Sequence, residues 1–190
     1  MAEIAKKAKI SRQALYLHFA DRAELLDALV AYVDERRDLA GEIQKIVNAP
    51  SGREAIQRLV RLQATHNAGI WPVALAFEVI RRTDPAAQRS WQNRQTKRVS
   101  TCRAIVDRLR RERDLRADLS LDAATDLLYV MTSLRTWEDL VLGRGWTANN
   151  YEERVTRLLT EALTISGGRA PSIGRRKNRA RRFVDQLSAG

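Results

Sequence analysis

Apolar residues at helical spacing, set off by helix-capping pairs, constrain the fold of this 190-residue chain more than any other feature. Asp21 is followed three residues later by Glu24, and Ser51 repeats this capping-box pattern ahead of a second apolar stripe. Asp84-Pro85 predicts another helix start, because proline fits the first helical turn, where an N–H is not needed. No stretch alternates apolar and polar residues for long enough to predict a strand. The pattern therefore predicts an all-α fold.

Two helices near the C-terminal end of this pattern suggest contact between two copies of the chain. Ser120 or Asp122 begins a helix that we expect to run over 121–142, and Thr147 caps one over 148–165. Apolar residues cover most of the circumference of 121–142, so this helix must be covered on two sides. Either it lies at the centre of one core, or one side meets a second copy. The second alternative predicts a twofold homodimer through helices 121–142 and 148–165. The last helix bears Tyr151, Val155, Leu158, Leu159 and Ala162.

The net charge is strongly basic and is concentrated near the C-terminus. The chain has 34 basic and 23 acidic residues, a net charge of +11. This excess points to a polyanionic partner, either nucleic acid or an anionic membrane. Residues 167–190 hold seven of the basic residues and one acidic residue, in a segment that begins with Gly, Pro and Ser. The composition predicts a disordered basic tail. This tail is either an inert terminus or a sequence-independent clamp on phosphates.

The cysteine content and the hydropathy of the chain indicate its cellular location. Cys102 is the only cysteine, which excludes an internal disulfide framework and a cysteine-based metal cluster, and fits a reducing environment. No apolar run is long enough to span a membrane, and the first residues lack the pattern of a signal peptide. We therefore expect a cytoplasmic protein with no membrane partner, no cofactor and no metal.

The first 22 residues carry the motif that is most informative about function. Residues 2–8 predict a short helix, Lys9-Ile10 a break, and Ser11 the N-cap of a second short helix. Two short helices joined by such a turn form a helix-turn-helix unit. The apolar residues that we expect to pack inward are Ile4, Ile10, Leu15 and Phe19.

The opposite face of the second helix carries side chains suited to DNA. A helix of this size fits the major groove, and its N-terminal residues reach the base edges. Arg12 can form a bidentate pair with guanine and Gln13 one with adenine, while Ala14 or Leu17 can contact a thymine methyl. The natural phosphate donors are the Ser11 backbone N–H and the side chains of Tyr16 and His18. We therefore expect a double-stranded DNA operator as the partner.

The run from Ala2 to Leu29 resembles the helix-turn-helix signature of the TetR/AcrR (tetracycline-repressor) family of bacterial transcription regulators. The matching residues are Ile4, Ala5, Ala8, Ile10, Ser11, Leu15, Tyr16, His18, Phe19, Arg22, Leu25 and Leu26. The resemblance implies a DNA-binding domain with a connecting helix over 1–40 and a helical ligand-binding and dimerisation domain over 41–166, followed by the tail. It implies a dimeric repressor that a small molecule releases from its operator. In the family pattern Tyr16, His18 and Arg22 contact phosphates, and Arg12, Gln13 and Ala14 lie near bases.

The chain departs from the family pattern in two places. Lys9 occupies the turn position where the family commonly has glycine, which adopts a positive φ without strain. Met1 falls inside what resembles the first helix of the motif, whereas the family has a further helix upstream. We therefore expect the first helix of the DNA-binding domain to be missing, through a start codon assigned too late or through a natural truncation. This expectation leaves an alternative function open, a helical dimerising or ligand-binding module that does not bind DNA itself.

The middle of the chain supplies residues for a small-molecule site. The candidates are His66, Asn67, Trp71, Phe77, Trp91 and Cys102. Aromatic walls with a few polar groups are typical of such sites, and packing in the core is the alternative role for each residue. Pro72 either lies early in its helix or kinks it, and both arrangements help to open a cavity. The effector is an unknown small molecule.

Catalysis has no signature in this sequence. His18 and His66 are the only histidines, and no H-E-x-x-H, phosphate-binding glycine loop or G-x-S-x-G motif is present. The sequence therefore argues against an enzyme.

Overall fold

The computed structural model describes residues 1–165, except for the side chains of Arg22, Ala23 and Leu26. The helices in this range are α1 (Ala2–Ala8), α2 (Arg12–His18), α3 (Arg22–Arg36), α4 (Leu39–Val47), α5 (Gly52–Ile80), α6 (Pro85–Arg111), α7 (Leu121–Met131), α8 (Leu134–Trp137), a π-helical segment (Glu138–Gly143) and α9 (Ala148–Leu163). The predicted all-α class is confirmed, since residues 1–165 contain no strand, only an isolated β-bridge between Leu115 and Thr164. The predicted basic tail over 167–190 lies outside the described residues.

Side-chain caps begin the helices where the sequence predicts them. Ser51, Ser120 and Thr147 each accept a hydrogen bond from the backbone N–H three residues further on, at 3.2, 3.1 and 3.1 Å. Asp84 accepts two backbone N–H bonds at the start of α6, where Pro85 is the first helical residue. Each cap contributes about 1 kcal/mol. Short-range chemistry therefore determines where these helices start.

Helices α5, α6, α7 and α9 enclose the main core. The long α5 packs on α9 and α6, and α6 packs in turn on α7. Helix α3, which follows the helix-turn-helix unit, packs on α6 and α4. The fully buried apolar side chains of the core include Ile56, Val60, Val106, Leu109, Leu128, Tyr151, Leu159 and Leu163. Burial of one such side chain stabilises the fold by about 1.5–3 kcal/mol, so this core is the main source of stability.

The predicted single helix over 121–142 is wrong. Helix α7 ends at Met131, α8 is a single turn, and the chain continues as the π-helical segment. The interruption follows from three hydroxyl side chains that bond to local backbone groups. Thr132 donates to the carbonyl of Leu128 at 2.7 Å, Thr136 donates to that of Val130 at 2.7 Å, and Ser133 caps α8. Such bonds compete with the regular helical ladder.

On α9, Tyr151, Val155 and Leu159 are buried, whereas Leu158 is 49% exposed. Of the two alternatives for Pro72, a position early in its helix is excluded, because α5 begins twenty residues earlier, at Gly52. None of the helices in residues 1–165 is both long enough and apolar enough to cross a membrane.

Candidate nucleic-acid interface and ligand site

The predicted helix-turn-helix unit is present as two seven-residue helices joined by a left-handed turn. Lys9 ends α1 with φ 57° and ψ 36°, and its N–H bonds to the carbonyl of Lys6 at 3.2 Å. The N–H of Ile10 bonds to the carbonyl of Ala5 at 3.1 Å, which closes the turn. A non-glycine residue in this conformation costs about 1 kcal/mol. The turn is therefore formed without glycine, at a modest cost in strain.

Helix α2 has a buried face and an exposed face. Leu15 is 4% exposed, and Phe19 at the C-cap is half-buried. The Ser11 hydroxyl accepts the Ala14 N–H at 3.0 Å, so its side chain is the cap of α2. The predicted DNA-contacting residues that are exposed are Ser11, Arg12, Gln13, Tyr16, Leu17 and His18. Ala14 is half-buried. The side chain of Arg22 lies outside the described residues.

Basic residues surround this exposed face. Lys6, Lys7 and Lys9 are exposed in α1 and the turn, and Arg12 begins α2. Glu3 is the only acidic residue among the first twenty. A basic surface around a short exposed helix suits a polyanionic duplex.

Two of the residues expected to pack inward on this unit do not. Ile4 is 40% exposed and Ile10 is 41% exposed. Helix α1 packs on α2, and the buried residues of the unit are Ala5, which is 2% exposed, and Leu15.

An ion pair ties α3 to the large helical core. Arg94 on α6 donates to both carboxylate oxygens of Asp34 on α3, at 2.7 and 3.1 Å. These side chains are 29% and 27% exposed. His66 of α5 lies in the field of this pair, and burial, the largest influence, lowers the pKa of its imidazole. Sixty residues separate Asp34 from Arg94, so the sequence offered no local signal for this pair.

The six predicted ligand residues lie on two helices, four of them on α5 and two on α6. Trp71 and Cys102 belong to the main core, and Thr132 faces the Cys102 thiol, whose pKa burial raises to about 11. Trp91 is half-buried under the guanidinium of Arg81, 5.0 Å from its ring centroid. The remaining three residues, His66, Asn67 and Phe77, are buried on α5.

Asn67 and Trp71 differ from the other four in their surroundings. They lie four residues apart on α5 and therefore share a face of that helix. The ring of Trp71 lies 5.9 Å from that of Trp137, tilted by 48°. The Asn67 Nδ2 and the Trp137 Nε1 are buried and have no hydrogen-bond partner within residues 1–165. The sequence analysis did not include Trp137 among the ligand residues, because a satisfied and an unsatisfied indole look the same in a sequence.

A surface groove of 710 Å³ runs between α5 and α9. Its lining is polar and includes the ion pair between Arg61 and Glu152, at 2.8 Å. None of the six predicted ligand residues lines it. The groove and the predicted ligand residues are therefore separate features.

The family model described as bacterial regulatory proteins, tetR family, matches residues 1–29, the segment that holds α1, the turn, α2 and the first part of α3. No curated protein and no solved structure matches the chain.

Proposed function

We propose that this chain is a DNA-binding transcription regulator of the tetR family, whose model matches residues 1–29, and that it acts as a homodimeric repressor released from its operator by a small molecule. The exposed face of α2 carries the proposal. Leu15 anchors this helix, Ser11 caps it, and Arg12 and Gln13 stand free at its start. Such a helix can enter the major groove with its first residues at the base edges.

The proposed DNA contacts of α2 and the residues next to it are of two kinds, contacts to bases and contacts to phosphates. Arg12 and Gln13 would contact bases, with Ala14 and Leu17 beside them. Leu17 is 82% exposed, so its side chain is accessible to a thymine methyl. The proposed phosphate contacts are the Ser11 backbone N–H, Tyr16, His18 and Arg22. The proposal includes a location in the cytoplasm, where such an operator would be reached.

Dimerisation would use the apolar surface that α7, the π-helical segment and α9 leave exposed. The apolar residues that are about half-exposed there are Leu127, Val130, Leu142, Leu158 and Ile165. Contiguous exposed apolar side chains commonly mark an interface. A twofold axis through this surface would let two copies bury the same residues against each other.

Charged substitutions test the dimer. Leu127→Asp combined with Val130→Asp should convert a dimer to a monomer, as measured by light scattering after gel filtration. Val79→Asp is the matched control, since Val79 is 65% exposed on α5, a helix that is not part of the proposed interface. A wild-type monomer, or a dimer that survives the double substitution, would exclude this interface.

Operator binding is tested with a duplex from the promoter of the chain's own gene and a shuffled duplex of equal length. Fluorescence anisotropy should give at least about 10³-fold tighter binding to the promoter duplex. Arg12→Ala should remove much of this preference, and Arg89→Ala, an exposed arginine on α6, should not. Equal affinity for both duplexes would contradict the repressor proposal and favour a module that acts without reading DNA.

A further inference from the structure

Two buried side-chain N–H donors in the described part of the chain, those of Asn67 and Trp137, are left without acceptors. Asn67 is 2% exposed and Trp137 is 2% exposed, and neither the Asn67 Nδ2 nor the Trp137 Nε1 has a partner within the described part of the chain. Buried polar groups are satisfied in the great majority of cases, because an unsatisfied one costs free energy. Both orphan groups are donors, so what would complete them is an acceptor.

The two donors belong to one region of the core. Trp71 follows Asn67 by one helical turn, and its ring is in contact with that of Trp137 at 5.9 Å. A tilted pair of indole rings offers flat surfaces on which another aromatic ring can stack or meet edge-on. An aromatic molecule beside these rings would also be within one turn of the Asn67 amide.

An irregularity in helix geometry lies directly after each of the two tryptophans, Trp71 and Trp137. Pro72 directly follows Trp71 inside α5 and has no N–H to donate to the carbonyl of Ala68. The π-helical segment begins directly after Trp137, and such segments occur frequently at functional sites. Both segments can therefore adjust more readily than a regular helix, as the entry of a small molecule between them requires.

We infer that Asn67 and Trp137 are the paired donors of an effector site for a small planar aromatic molecule that carries an acceptor oxygen, such as a carbonyl or carboxylate. The inference rests on the proposed ligand response and narrows it to a chemical class. The oxygen would accept from the Asn67 amide and the Trp137 indole, and the ring would lie against Trp71. A cationic amine, which has donors only, would leave both groups unsatisfied.

Matched probes test the acceptor. Acetophenone and ethylbenzene have nearly the same shape, but only acetophenone has an oxygen; benzoate and benzylamine form the charged pair. Titration calorimetry with the full chain should give acetophenone at least about tenfold tighter binding than ethylbenzene, equivalent to one hydrogen bond. Benzoate should bind more tightly than benzylamine. Equal binding within either pair, or no binding by acetophenone and benzoate, would overturn the inference.

Two variants locate the site. Asn67→Leu and Trp137→Phe should each reduce the preference for acetophenone about tenfold, and Asn67→Leu should raise the thermal midpoint of the free protein because it removes an orphan donor. Thr132→Val is the control, since that buried hydroxyl already donates to the carbonyl of Leu128. Should Trp137→Phe fail to fold, Asn67→Leu alone decides. An unchanged preference in Asn67→Leu would refute the assignment.

Operator release is measured separately with acetophenone present. Binding at Asn67 without any loss of operator affinity would leave the site assignment standing and exclude the proposed ligand response. Release of the operator by ethylbenzene as readily as by acetophenone would support the ligand response and refute the acceptor class.

Discussion

Breaking the ion pair between Asp34 and Arg94 should loosen the attachment of α3 to the core. The pair has two hydrogen bonds, at 2.7 and 3.1 Å, and its side chains are 27% and 29% exposed. Fully exposed pairs contribute about 0–1 kcal/mol, and removing one partner of a buried pair costs about 3–5 kcal/mol. At this intermediate burial we expect a coupling free energy of about 1–2 kcal/mol.

A double-mutant cycle measures this coupling. The free energies of unfolding of Asp34→Asn, Arg94→Gln and the double variant are obtained from urea titrations, and their non-additivity isolates the pair. The control cycle uses Arg103→Gln and Asp122→Asn, whose bond of 2.6 Å joins α6 to α7 with Asp122 85% exposed. That pair should couple more weakly, because solvent screens exposed charges.

The same substitutions should affect DNA binding. Since α3 follows α2 directly and is held to α6 by this pair, Asp34→Asn should lower operator affinity and speed amide exchange in α3, while exchange in α9 stays slow. A coupling in the α3–α6 cycle no larger than in the control cycle, or unchanged exchange in α3, would refute the idea that the pair holds the DNA-binding unit to the core.

Three further predictions concern pH, DNA readout and the tail. Burial lowers the pKa of His66 in the folded chain, so the unfolded chain binds the extra proton and the stability should fall as the pH drops from 7.5 to 5.5. The thermal midpoint of His66→Gln should lose part of this pH dependence, and a dependence equal to that of the wild type would exclude His66 as its source. Gln13→Ala should relax preference at one base pair, by about 1–3 kcal/mol, whereas Tyr16→Phe should weaken binding to all duplexes alike; a binding screen over single-base operator variants that finds no change in either would exclude this groove assignment. Ending the chain after Ser166 should flatten the plot of log affinity against log salt and leave operator preference intact if the tail clamps phosphates, and an unaltered slope would favour an inert tail.

Local chemistry was readable from the sequence, and it accounts for most helix starts. A capping serine, threonine or aspartate needs only the backbone N–H groups two or three residues away, so Ser51, Asp84 and Thr147 act as predicted. The helix-turn-helix unit is local for the same reason. Even the left-handed conformation at Lys9 follows from a position between two short helices.

Only the tertiary structure decided which groups meet across long stretches of chain. The predicted 121–142 helix is interrupted by hydroxyl groups that donate to backbone carbonyls instead of to solvent. Burial decides between these two acceptors: Thr132, for example, is 1% exposed and donates to the carbonyl of Leu128. Helical spacing marks Leu158 as apolar but does not say that the core ends beside it. The pairing of Asp34 with Arg94 and the contact of Trp71 with Trp137 join residues more than fifty positions apart. Such contacts form only when whole helices pack against each other, and the sequence around one residue does not indicate which distant residue it will contact.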